Sequence, residues 1–198
     1  MKPIQFILAS ASPRRQQLLN QIGLNFEVHP SHIHEAPFQE GHPHDYACDL
    51  ARSKALEIAE KFPDRLVMGA DTIVVVDKHV LGKPEDENDA FRMLQKLSGR
   101  SHEVITAYSL ISIQNSIELT EHVSTAVHFK PLTAGEINTY IESGAPMDKA
   151  GSYGIQDFSG VFVDSIQGDF YNVVGLPLSH FNTSLQTILK QNGLRIVS

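Results

Sequence analysis

Leu8-Ala9-Ser10-Ala11-Ser12-Pro13-Arg14-Arg15 ends an apolar strand and opens a helix within a few residues. Its small residues let the backbone turn tightly. Ser12 is a good N-cap and Pro13 suits the first helical position, so Arg14 and Arg15 fall in the first turn. Leu18, Leu19 and Ile22 follow at helical spacing, and Gly23 ends the element. Cations are disfavoured where the helix dipole is already positive. A pair of arginines there is either a solvated pair on an ordinary helix or a sign of an anionic ligand. Phosphate suits the second reading, because free N–H groups, the dipole and two guanidinium forks all favour it.

Outward from this strand–turn–helix, the apolar residues 4–9 read as a buried strand and 13–22 as its helix. A short strand near 26–29 precedes a histidine-rich loop, 29–44. A helix over 44–62 follows, with Ala47, Leu50, Ala51, Ile58 and Phe62 along one face. Residues 66–76 are a strongly apolar strand run interrupted by Gly69-Ala70-Asp71-Thr72, and Asp77-Lys78 turns it into a hairpin with 79–81. A helix over 87–97 stops at Gly99. Strands over 102–113 and 117–129 are joined near Asn115-Ser116, and Val123, Thr125, Val127 and Phe129 alternate as one face. Thr133 and Glu136 form a capping box for a helix ending at Gly144. Residues 145–160 read as a polar loop, and 161–166 with 170–174 as a hairpin around Gln167-Gly168-Asp169. A last helix carries Leu178, Phe181, Leu185 and Ile188, and a short strand closes the chain. Alternating helices and strands followed by antiparallel pairs predict an α/β fold with a mixed sheet, two lobes around a cleft.

The 198 residues suit one sizeable domain or two small lobes sharing a core, with no linker or repeat that divides them. A net charge of -7 argues against a nucleic-acid or membrane-surface binder, so any phosphate site is a local gathering of cations in an acidic protein. The single cysteine, Cys48, cannot form an internal disulfide, and no segment has the length of a membrane span. With no apparent leader, a cytoplasmic protein is expected.

Charges that break the local pattern mark candidate chemistry. Lys54 lies four residues from both Leu50 and Ile58 on an apolar helix stripe, where it either snorkels to the rim or reaches a compensated site. Asp71 interrupts an apolar strand, where a carboxylate is costly unless paired, hydrogen-bonded or metal-bound. Lys83 is flanked by Gly82 and Pro84 in a rigid turn. Asp148-Lys149-Ala150-Gly151-Ser152-Tyr153-Gly154-Ile155-Gln156 places a lysine and an amide among glycines. Arg14, Arg15, Lys54, Lys83 and Lys149 with Asp71 make a suitable kit for a nucleoside triphosphate and a divalent metal. No Walker A motif, Rossmann fingerprint or Ser-His-Asp order is present. The histidines at 29, 32, 34, 42 and 44 match no recognised zinc-ligand spacing.

The segments 8–15, Ala51-Arg52-Ser53-Lys54-Ala55, Gly69-Ala70-Asp71-Thr72, Leu81-Gly82-Lys83-Pro84, Leu97-Ser98-Gly99-Arg100 with His102, and 148–156 together resemble the Maf family of nucleoside triphosphate pyrophosphatases. The stretch 168–177 is similar to the family's C-terminal signature. The resemblance spans nearly the whole chain. It implies one Maf-like domain over 1–198, α/β and ITPase-like, with a mixed, strongly twisted sheet flanked by helices and two lobes around a nucleotide-binding cleft. It also implies hydrolysis between the α- and β-phosphates, with Asp71 as the catalytic acidic residue. Glu35 and Asp71 would hold Mg²⁺ or Mn²⁺, although His34-Glu35-Ala36 is less acidic than the family's usual run here. Ser10, Arg15, Lys54, Lys83 and Lys149 would contact phosphates or order the cleft, and Arg14, Thr72 and Gln156 would set substrate class. Gly154-Ile155-Gln156 resembles the dTTP/UTP subfamily. An amide both donates and accepts, which suits the O4 and N3–H edge of thymine or uracil. A 7-methyl-GTP pyrophosphatase and a non-catalytic nucleotide sensor in cell division are the alternatives. A homodimer acting on free nucleotides, with no nucleic-acid or membrane partner, is what the family implies.

Overall fold

The structure, a computed structural model, describes residues 1–197. The chain runs β1 (Lys2–Ile4), β2 (Phe6–Leu8), α1 (Pro13–Gln21), β3 (Glu27–Val28), α2 (Pro43–Lys61), β4 (Leu66–Val76), β5 (His79–Leu81) and α3 (Glu87–Leu97). It continues through β6 (Ser101–Ser112), β7 (Ile117–Phe129), α4 (Ala134–Glu142), three 3-10 turns, β8 (Val163–Gln167), α5 (Phe170–Val174), α6 (Leu178–Gln191) and β9 (Leu194–Ile196). Seven strands hydrogen-bond in the order β3-β2-β4-β6-β7-β8 with β5 on β4, and β1 pairs separately with β9. Pairing is parallel for β2 with β3 and β4, and antiparallel for β4–β5 and β7–β8, so the sheet is mixed as expected.

Two compact units divide the residues. One comprises Met1–Asp71, Thr106–Val123 and the chain from Gly175 onward; the other comprises Thr72–Ile105 and Ser124–Val174. Each is discontinuous in sequence, because β4, β6 and β7 contribute residues to both.

In the first unit, parallel strands require crossovers, and α1 and α2 supply them. Ser12 caps α1, its Oγ accepting from the Arg15 N–H at 3.5 Å, and Pro13 sits in the first turn. Leu18 and Leu19 are buried, whereas Ile22 falls just beyond the helix and is exposed. The core gathers Ile7, Ala9, Ala55, Ile58, Ala59, Val67 and Ile111, with Phe62 against it. Small residues let α2 lie directly on β4. A Cβ added at Gly69 would stand 2.3 Å from the Ala51 carbonyl oxygen and 2.5 Å from the Ala55 nitrogen, so only glycine fits.

The second unit packs Val74, Leu81, Leu94, Leu97, Val104, Phe129, Tyr140 and Phe162. Asp77 and Lys78 both take positive φ (50° and 66°), as a two-residue hairpin loop requires. Asp86 caps α3, and both bonds of the Thr133/Glu136 capping box are present on α4. Two expectations fail here. Residues 145–160, expected as a loop too polar for the core, contain 3-10 turns at Ala145–Asp148, Ala150–Ser152 and from Phe158, and Gly151, Ser152, Tyr153 and Ser159 are buried. The supposed hairpin of 161–174 is also absent. β8 pairs with β7, and 170–174 form one helical turn. Side-chain capping outweighs the strand-like alternation there: the Asp169 carboxylate accepts from the N–H groups of Tyr171 (2.7 Å) and Asn172 (3.3 Å). Buried Asn172 then donates to the Val104 carbonyl at 2.9 Å and to Thr125 Oγ1 at 3.0 Å.

Candidate active site

Asp71 lies on β4 two residues after Gly69, and Lys54 lies on α2 between Ala51 and Ala55, the residues that Gly69 touches. The close backbone approach therefore brings the ammonium to the carboxylate. Lys54 Nζ donates to Asp71 Oδ1 at 2.6 Å, with the two side chains only 13% and 11% exposed. The same Nζ is 2.8 Å from Glu35 Oε1, whose side chain is half-exposed. One lysine thus joins a buried and an accessible carboxylate. Of the readings open for Lys54 in the sequence, compensation at a site applies.

Burial raises the Asp71 pKa above the ordinary carboxylate value; Lys54 and Arg15 oppose this and Glu35 adds to it. Arg15 folds back over the strand–helix turn. Its Nε donates to the Gly175 carbonyl at 3.0 Å and its Nη1 to Ser10 Oγ at 3.2 Å. Burial lowers its pKa, and the charges of Asp71 and Glu35 oppose that. Arginine nevertheless stays protonated at any working pH. Ser10 Oγ also accepts from the Ser12 N–H at 3.3 Å, which ties the small-residue turn together. Arg14 is half-buried beside it, its charge felt by Arg15. Ser10, Arg15, Glu35, Lys54 and Asp71 accordingly form one group in the first unit.

Glu35 sits on a long segment, yet that segment is pinned to α2 on both sides. Glu57 accepts from Ser31 Oγ at 2.6 Å and from the His32 N–H at 2.8 Å, and the Tyr46 hydroxyl donates to the Ala36 carbonyl at 2.9 Å. The Tyr46 pKa is raised by burial and then by the charges of Asp71 and Glu35. These anchors, and the Gly175 carbonyl, were not singled out in the sequence. Their only signal there was position: Tyr46 and Glu57 lie on the helix that carries Lys54.

The other expected residues belong to the second unit. Thr72 follows Asp71 in β4 and is half-buried. Lys83 is exposed, one residue after Gly82, whose carbonyl accepts from the Gly151 N–H at 2.9 Å. That bond joins the Lys83 turn to the segment carrying Lys149 and Gln156. Lys149 is 11% exposed; its Nζ bonds the Ala145 carbonyl and Asp148 Oδ1 (2.7 Å) and lies 3.4 Å from Asp157 Oδ2. It orders its own segment rather than pointing free. Asp157 also accepts from the Tyr140 hydroxyl and from the Ser159 backbone N–H, so Ile155-Gln156 forms the tip of a tightly tied turn. Gln156 is exposed at that tip.

The histidines scatter. His29 packs on Phe62 with ring centroids 4.6 Å apart, and His44 lies against His122 at 4.9 Å. Among the described residues no three His, Cys, Asp or Glu side chains gather to hold a metal ion. Glu35 and Asp71 both reach the Lys54 ammonium, and hard oxygen donors of that kind suit Mg²⁺ or Mn²⁺ completed by substrate phosphates.

Residues 5–188 match the model of a family described as Maf-like protein. A dTTP/UTP pyrophosphatase of Symbiobacterium thermophilum is 49% identical over 174 residues, covering 88% of this chain and 89% of the relative. The dTTP/UTP pyrophosphatase of Geobacter sulfurreducens is 47% identical over 188 residues, covering 95% and 98%. In fold, the chain resembles a HAM1 protein from Coxiella burnetii with a TM-score of 0.52 and 13% identity, over 93% of this chain and 99% of that one. No described helix is long and apolar enough to cross a membrane.

Proposed function

The chain belongs to the family of Maf-like proteins, and on that premise we propose that it is a nucleoside triphosphate pyrophosphatase that hydrolyses dTTP and UTP between the α- and β-phosphates. The observation that carries this reading is the buried Asp71 held with Glu35 on the ammonium of Lys54. A carboxylate kept in a desolvated place beside cations is suited to take a proton from water, the role proposed for Asp71. Arg15 and Lys54 offset the negative charge of the triphosphate as the anhydride bond breaks, and Ser10 orients the Arg15 fork. Glu35 and Asp71 would hold the divalent cation, which when bound supplies Lewis-acid neutralisation of the phosphates.

Arg14, Thr72 and Lys83 are proposed to contact the nucleotide, Lys149 to order its segment, and Gln156 to read the base edge. The exposed position of Gln156 supports the last role, since an amide used in packing would not be free to face a ligand. The family match spans residues of both units, which supports their serving one activity. A homodimer in the cytoplasm, handling free nucleotides, completes the proposal; the net charge of -7 favours a small anionic ligand held locally over a nucleic acid.

The test is a panel of nucleoside triphosphates with Mg²⁺ or Mn²⁺, read by pyrophosphate release. dTTP and UTP are expected to give the highest kcat/KM. Preference for 7-methyl-GTP would transfer the chain to the other subfamily, and binding without turnover would make it a sensor.

A further inference from the structure

His102 on β6 is 4% exposed and sits edge-on to Phe129 and Tyr153, with ring centroids 5.0 Å and 5.3 Å apart. Its Nε2 lies 2.7 Å from the Tyr153 hydroxyl, while its Nδ1 is buried without a hydrogen-bond partner among the described residues. An apolar ring would fill this space without burying an unpartnered Nδ1, so packing alone does not account for histidine. What an apolar ring lacks is a directional bond to Tyr153.

Tyr153 stands at a critical place in the backbone. The two residues before it, Gly151 and Ser152, both have left-handed φ (65° and 63°), and Ser152 is a side-chain-bearing residue in that region. Such conformations persist only where the surroundings fix them. Anchors do so in sequence: the Gly151 N–H to the Gly82 carbonyl, Ser152 Oγ to Met93 Sδ at 3.2 Å, and Tyr153 to His102. Directly after Tyr153, Ser159 Oγ accepts from the Gly154 N–H and donates to its carbonyl, each at 3.0 Å, closing the turn that presents Gln156. The His102–Tyr153 bond is thus the last fixed point before the turn. Burial drops the His102 pKa to about 4, so the ring is neutral and one of its nitrogens can accept from the tyrosine at working pH.

We propose that His102 is a positioning residue for base selectivity, acting through Tyr153 to hold the turn that carries Gln156. This rests on Gln156 reading the base edge. Uracil and cytosine present reversed donor and acceptor at that edge, so a loosened amide loses the distinction between them.

The experiment measures kcat and KM for UTP and CTP with the wild type, His102→Phe, Tyr153→Phe, the double variant, His102→Gln and Gln156→Ala. His102→Phe and Tyr153→Phe are each expected to lower the UTP-to-CTP ratio of kcat/KM by about fivefold, chiefly through the KM for UTP. The double variant should match the singles, because they remove one shared bond. His102→Gln, which can still bond the hydroxyl, should recover part of the ratio. Unchanged ratios in folded His102→Phe and Tyr153→Phe, or an equal loss on both nucleotides, would overturn the proposal. If His102→Phe does not fold, Tyr153→Phe decides. Should Gln156→Ala alter the ratio while these do not, positioning fails and the reading of Gln156 stands; a wild type inactive on both nucleotides defeats both.

Discussion

At the scale of single residues, the proposed chemistry turns on an ammonium placed between unequal carboxylates. Asp71 is desolvated, which favours its neutral form, and Lys54 supplies the nearest opposing charge. Removing that charge lets burial act with less opposition, so the Asp71 pKa rises further. In Lys54→Met the acid limb of kcat/KM should therefore move to higher pH, and the plateau should fall by about 2–4 kcal/mol of transition-state stabilisation. A pH–rate profile of the two proteins checks both; an unmoved limb would separate Lys54 from the titrating group. Lys54 and Asp71 were legible in the sequence because each breaks an apolar pattern. Glu35 was not legible in that way: it stands in a loop without periodicity and was reached only through resemblance. Lys149 stands out in the sequence as a lysine among glycines, but its partners Asp157 and Ala145 follow from turn geometry that spacing does not encode.

At the scale of elements, the site depends on how closely α2 approaches β4. Gly69→Ala would drive a methyl group against the Ala51 carbonyl and the Ala55 nitrogen, backbone atoms that cannot swing aside. A loss of about 1–3 kcal/mol in denaturant unfolding is expected, with activity falling beyond the loss of folded protein, because the helix that moves carries Lys54. Wild-type stability and rate would contradict this. The same helix holds the Glu35 segment through Glu57, whose pKa falls to about 2 chiefly through Lys61, then Ser31 and the His32 N–H. The sign follows: the stabilisation is complete above the ordinary value of 4.5 and is lost as pH falls towards 2. Glu57→Gln should therefore flatten the pH dependence of the unfolding midpoint in that window and raise KM for nucleotide without abolishing kcat. Helices with clear caps, such as α3 and α4, were legible to within a residue or two, and α6 by its apolar stripe. The turn at 170–174 was not, because its alternating bulky residues imitate a strand and only the Asp169 cap and the buried Asn172 bonds reveal a helix.

At the scale of the whole molecule, the sequence carries no boundary because the division runs through the middle of strands. β4 passes from one unit to the other between Asp71 and Thr72, adjacent residues assigned different roles. No linker composition can mark such a point, whereas the mixed sheet follows directly from crossover helices early and hairpin pairing later. Arg15 and Lys54 stand beside Asp71 as a local pair of cations in a chain of net charge -7. The most direct measurement is the product analysis of dTTP incubated with Mg²⁺ and either the wild type or Asp71→Asn. The wild type should yield thymidine monophosphate and pyrophosphate in equal amounts, and Asp71→Asn should retain less than about one thousandth of the rate. Thymidine diphosphate with orthophosphate from the wild type, or an undiminished rate in Asp71→Asn, would contradict the account.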